Sequence, residues 1–72
     1  MAALKEPVKI FIVQALACRD TPQEVADQVL QEFGITIDRK QCQSYDPTKV
    51  AGKNLSPKFK KLFDETRKKF DA

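Results

Sequence analysis

The sequence predicts an all-α fold of four short helices with a helix-turn-helix at its centre. Apolar residues recur at three- and four-residue spacing in successive segments, the signature of amphipathic helices. Cap-plus-proline pairs at Thr21-Pro22 and Ser56-Pro57 mark two helix starts. Two glycines among 72 residues are too few for a sheet with many turns. This length makes one domain, residues 1–72, near the lower limit for a core that folds without staples. Its parts are a core over 7–45, a basic loop over 46–55 and a C-terminal helix over 56–70.

Residues 1–5 are expected to fray. Pro7 opens a first helix running to about Ala17, with Val8, Phe11, Ile12, Ala15 and Leu16 on a wide core-facing stripe. VKIFIV is β-branched enough for a strand, but no partner strand follows. Ile10, Val13 and Ala17 fall off the stripe and need cover from the last helix or from another subunit. Arg19 and Asp20 link to the second helix.

Thr21 is an N-cap, Pro22 suits the first helical position, and Glu24 completes a capping box. Val25, Ala26, Val29, Leu30 and Phe33 form the stripe of this helix, and Gly34 ends it in a left-handed turn. The third helix starts at Asp38, with Gln41 placed to reach back to the cap and Ile37 placed to touch Cys42. It is expected to run to Tyr45, with Cys42 and Tyr45 inward and Arg39, Lys40, Gln43 and Ser44 outward. Asp46-Pro47 stops it, because the residue before proline avoids the helical region.

An irregular lysine-bearing loop around Gly52 follows, and the last helix spans about Pro57 to Phe70. Phe59, Leu62, Phe63, Thr66 and Phe70 share one face of it. The other face is charged, with Glu65–Lys69 and Asp64–Lys68 as favourable i,i+4 pairs. The chain ends at Asp71-Ala72 without a helix stop, which fits a domain cut from a longer protein.

Composition narrows the function. At 42% hydrophobic and 32% charged residues, the chain is of a folded, soluble kind. No apolar run approaches the roughly 20 residues of a membrane span, and the N-terminus has no signal-peptide layout, so a cytoplasmic place is expected. Histidine is absent, and neither a metal-ligand cluster nor a glycine-rich phosphate loop occurs, so no catalytic residue, metal or cofactor is expected. Asp27, Glu32, Asp64 and Glu65 read as solvated helix charges. Cys18 and Cys42 read as reduced packing residues, with a chance bridge between them as the minor alternative.

The net charge is +3, unevenly spread. Residues 1–45 carry five basic and six acidic side chains; residues 46–72 carry eight basic and four acidic. This favours an anionic partner, nucleic acid first and acidic protein second. In a helix-turn-helix, early residues of the second helix reach base edges. Arginine pairs with guanine and glutamine with adenine, so Arg39, Lys40, Gln43 and Ser44 are candidate DNA contacts. Cations in a first turn oppose the helix dipole, which counts against a purely structural role. An ordinary polar helix surface remains the alternative. Lys49 and Lys53 are candidate phosphate contacts, equally readable as solubilising charge; Lys58, Lys60 and Lys61 also suit phosphates, and Lys68 and Lys69 read as salt-bridged surface.

The segments QALACRDTP and EFGITIDRKQCQSYDPTKVAGKNLSPKFKKLFDETRKKF carry a resemblance, most specifically in the series YDPTK…GK…L…LF…TRK. The chain resembles an uncharacterised family of small phage and prophage proteins, similar in layout to the N-terminal DNA-binding domains of phage terminase small subunits. The resemblance implies a helix-turn-helix that recognises double-stranded viral DNA for packaging in a bacterial host cell, with Arg39, Lys40 and Gln43 at recognition positions, Gly34 in the turn and self-association into a ring. No segment corresponds to the oligomerisation region or to the part that engages the large terminase subunit. A phage transcriptional regulator is the alternative within this class. A helical protein–protein interaction module, docking through Ile10, Val13 and Ala17 or through the basic last helix, is the alternative outside it.

Overall fold

The computed structural model describes residues 4–49, 52–53 and 55–71, and these are helical without strands. The helices are α1 (Glu6–Ala17), α2 (Pro22–Phe33), α3 (Arg39–Gln43) and α4 (Pro57–Asp71). The all-α class and the four helices are those the sequence predicts.

α1 is the central element. It packs against both α2 and α4, while α2 also packs against α3. Val8, Ile12, Ala15 and Leu16 are buried as expected, and Phe11 is half-buried. Val13 and Ala17, off the expected stripe, are fully buried too. α4 is the cover they need, since Arg67 of α4 donates to the carbonyls of Leu16 and Ala17. Val13 and Ala17 are therefore core residues, while Ile10 is half-buried.

α1 and α4 run parallel. Lys58 pairs with Glu6 at one end, and Arg19 pairs with Asp71 at the other, each across 52 residues. The constant offset fixes the register and explains a departure from expectation. Phe70 lies 52 positions after Cys18, beyond the last turn of α1, so no helix covers it and it is exposed. Phe59 and Phe63 fill the core as expected, and Leu62 packs beside them. On the charged face, Asp64–Lys68 forms at 3.4 Å, while Glu65 turns to Lys61 at 4.0 Å rather than to Lys69.

The α1–α2 corner is built by backbone geometry. Arg19 sits at φ 69°, with Arg19 N–H donating to the Leu16 carbonyl and Asp20 N–H to the Ala15 carbonyl. This is the pair of bonds that closes a helix around a left-handed residue. α2 then opens with the complete capping box, Glu24 N–H to Thr21 Oγ1 at 3.2 Å and Thr21 N–H to Glu24 Oε1 at 3.0 Å. Gly34 ends it at φ 66°. Val25, Ala26 and Val29 are buried, but Leu30 and Phe33 are exposed at 50% and 39%. α3 has only five residues and cannot cover the last turn of α2. Phe33 keeps one partner, Phe11, edge-on at 5.4 Å between ring centroids.

The connection from Gly34 to Asp38 is five residues without helix or turn, more open than the tight turn the sequence suggests. Ile35 and Ile37 use it to pack on the core. Gly52 is obligatory for reasons of space, because a Cβ there would lie 2.0 Å from the Asp46 carbonyl oxygen. Among the described residues, no helix is long and apolar enough to cross a membrane.

Candidate nucleic-acid interface

α3 begins where expected and ends two residues early. Asp38 accepts the Lys40 N–H at 3.2 Å, but Gln41 does not return the bond. Three bonds of the tighter i→i−3 type then replace the α pattern: Ser44 to Gln41, Tyr45 to Cys42 and Asp46 to Gln43. Ser44 reinforces the stop by donating its hydroxyl to the Gln41 carbonyl at 2.6 Å. Its hydroxyl proton is thus engaged at the helix end, and Ser44 is half-buried. Cys42 is the buried anchor of α3, and burial pushes its thiol up to about 11. Tyr45 is half-buried with its ring edge-on to Phe59 at 6.4 Å, and burial raises its phenol as well.

With Cys42 inward, Arg39 and Lys40 are exposed and Gln43 is half-buried. The three line one groove of about 350 Å³, whose other wall is Thr21, Pro22 and Gln23 at the start of α2. The amino end of one helix thus stands beside the basic first turn of the next. Together they present guanidinium, ammonium and amide donors, the groups that contact phosphates and base edges. Glu24 is engaged in the cap; the Thr21 N–H holds its carboxyl below the usual carboxylate range.

Charge pairing separates the cations. Among the described residues the ion pairs are Arg19–Asp71, Lys58–Glu6, Lys61–Glu65 and Lys68–Asp64. Arg39, Lys40, Lys49 and Lys53 take part in none of them. Lys49 and Lys53 are exposed but do not line the α3 groove. The described residues of their loop are held by hydrogen bonds. Asp46 is buried and accepts the Thr48 N–H at 2.9 Å and the Thr48 hydroxyl at 2.6 Å, and Lys60 donates to the Lys53 carbonyl at 3.1 Å.

Two participants are not apparent from sequence reasoning. The α2 start reads there only as a cap, although the crossing of the first helix over the backbone in this motif points to it. Arg67 reads as part of the solvent face of α4. Instead it is half-buried, lies 4.5 Å from the centroid of Phe63, and caps the end of α1. The absence of a basic residue in the last turn of α1 is the signal that points to such a visitor. No three His, Cys, Asp or Glu side chains gather as metal ligands among the described residues.

Neither a curated protein nor a solved structure matches the chain. One family model does, over residues 1–72, so the whole chain, with its α3 groove and the loop behind it, belongs to the family described as uncharacterized conserved protein (DUF2280).

Proposed function

We propose that this protein is a non-enzymatic binder of double-stranded DNA that reads the major groove with α3. In this reading α2 and α3 act as a helix-turn-helix with an extended connection. Arg39 and Gln43 address base edges, Lys40 and the start of α2 address phosphates, and Lys49 and Lys53 add charge nearby. The observation that carries it is the convergence of Arg39, Lys40 and Gln43 with Thr21–Gln23 on one groove, with both cations outside the ion pairs of the described residues. Because α3 is held by Cys42 and Asp38, its outward residues are free to serve a ligand. The resemblance to terminase small-subunit domains extends the proposal to phage DNA packaging, as the subunit or its DNA-binding portion.

The test is a fluorescence-anisotropy titration into duplex DNA at several salt concentrations, with Arg39→Ala/Lys40→Ala alongside. Phosphate contacts give a log–log salt slope of about −0.9 each. The double variant is expected to lose binding while its melting temperature stays unchanged. If a covalently tethered pair of the wild-type chain fails to bind at low salt, the DNA reading is abandoned.

A further inference from the structure

A second groove, of about 570 Å³, lies between the 46–49 turn and α4, lined by Pro47, Thr48, Lys60, Lys61, Phe63, Asp64 and Arg67. We infer that it is the seat of the phosphate backbone beside the α3 contacts, so that Lys60, Lys61 and Arg67, rather than Lys49 and Lys53, carry the sequence-independent part of binding. This rests on the DNA reading above and adds a second surface to it.

Three observations support the assignment. The first is charge. The groove holds three cations against one carboxylate, Asp64, and that carboxylate is drawn to Lys68 at 3.4 Å, which does not line the groove. Lys61 has only a loose carboxylate neighbour, Glu65 at 4.0 Å. The second is unused donor capacity. Lys60 gives one of its three N–H groups to the Lys53 carbonyl, which holds the ammonium in place with two to spare. Arg67 uses Nε and Nη2 on the α1 carbonyls, and its Nη1 makes no hydrogen bond among the described residues. Fixed cations with spare donors are what a phosphodiester requires.

The third is adjacency. The carbonyl of Gln43, in the α3 groove, accepts the Asp46 N–H at 3.0 Å, and Pro47 of the second groove comes next in the chain. On the other side, Arg67 binds Ala17, four residues before Thr21 of the α3 groove. Short chain segments thus link the two grooves at two places. A rod of regularly spaced phosphates lies along such a double surface more readily than a short acidic peptide, which one groove would accommodate.

The test uses the full chain and a fluorescent duplex of about 20 base pairs, with protein taken to roughly 1 mM to reach weak non-specific binding. Lys60→Gln/Lys61→Gln is compared with Lys68→Gln/Lys69→Gln, an equal charge change outside the groove. The first pair is expected to flatten the salt slope by about 1 per lysine and to weaken all duplex sequences equally. The second pair is expected to change it much less. Equal effects from both pairs, or none from the first, overturn the assignment while leaving the α3 reading intact. Absence of wild-type binding removes both. Circular dichroism checks that each variant is folded; all four lysines are exposed.

Discussion

Arg19 occupies the left-handed region at φ 69° and still reaches Asp71, 52 residues later, through Nε to Oδ1 at 3.3 Å and Nη2 to Oδ2 at 2.9 Å. Backbone geometry and side-chain chemistry pull in opposite directions here. Glycine relieves the strain of a Cβ at positive φ, while only arginine makes the two-pronged bond. Arg19→Ala loses the bond and keeps the strain, so it is expected to melt below Arg19→Gly by a few degrees. Thermal unfolding of both variants checks the order, and the reverse order would mean that strain at the positive φ plays no part.

The two glycines carry different constraints. Gly34 has open space where a Cβ would stand but a φ of 66°, so Gly34→Ala costs about 1 kcal/mol of backbone strain. Gly52 meets the Asp46 carbonyl, a backbone atom that cannot swing aside. Gly52→Ala is expected to cost more, about 2 kcal/mol or above, because backbone rather than a flexible side chain must shift. Urea denaturation midpoints at constant m-value measure the difference.

Arg67 serves α1 from another helix. Its removal leaves the Leu16 and Ala17 carbonyls without their donor and takes the cation from the face of Phe63. Arg67→Ala is expected to destabilise the fold by about 2 kcal/mol. Arg67→Lys should recover only part of this, since an ammonium lacks the planar fork that spans two carbonyls. Full recovery by lysine in chemical denaturation would show that charge alone matters.

Acid should weaken the fold in a defined window. Glu6 is held low by its hydrogen bond from Lys58, Glu24 by the Thr21 N–H, and Asp71 by its hydrogen bond from Arg19. A depressed carboxyl adds stability that is fully present above its ordinary value, 4.5 for Glu and 3.8 for Asp, and is lost as pH falls through the lower folded value. Melting temperature is therefore expected to be flat from neutral pH to the ordinary carboxylate range and to drop below it. Combining Glu6→Gln, Glu24→Gln and Asp71→Asn should flatten that drop.

The thiols should separate kinetically. Cys42 is buried and pushed up to about 11, so its thiolate is scarce at neutral pH, whereas Cys18 is half-buried. A disulfide reagent at pH 8 is expected to label Cys18 first and Cys42 only at the rate of unfolding. The raised thiol also has a sign in pH: its contribution is present below 9.0 and lost as pH climbs towards about 11. Equal labelling rates would place Cys42 outside the core.

Most of the fold is legible in the sequence because its signals are local. Thr21-Pro22-Glu24 writes its own cap, and the stripes of α1 and α4 lie in their spacing. What escapes depends on distant partners. The exposure of Phe70 follows from the parallel offset between α1 and α4, which no window of sequence contains. The short α3 is a local exception, ended by three i→i−3 backbone bonds that the Ser44 hydroxyl reinforces. In the candidate site, Arg39, Lys40 and Gln43 are legible as one outward face of a helix. The wall opposite them, Thr21 to Gln23, sits sixteen or more positions away, and only the packing of α2 on α3 unites them.

The parallel arrangement of α1 and α4 also sets where anything may be attached. Asp71 is tied to Arg19, two residues before Thr21 in the α3 groove, whereas Glu6 lies a full α1 length away, about 18 Å. A dye, tag or tether joined after α4 starts from the end marked by the Arg19–Asp71 pair. The same addition joined ahead of α1 starts from the other end, marked by the Lys58–Glu6 pair.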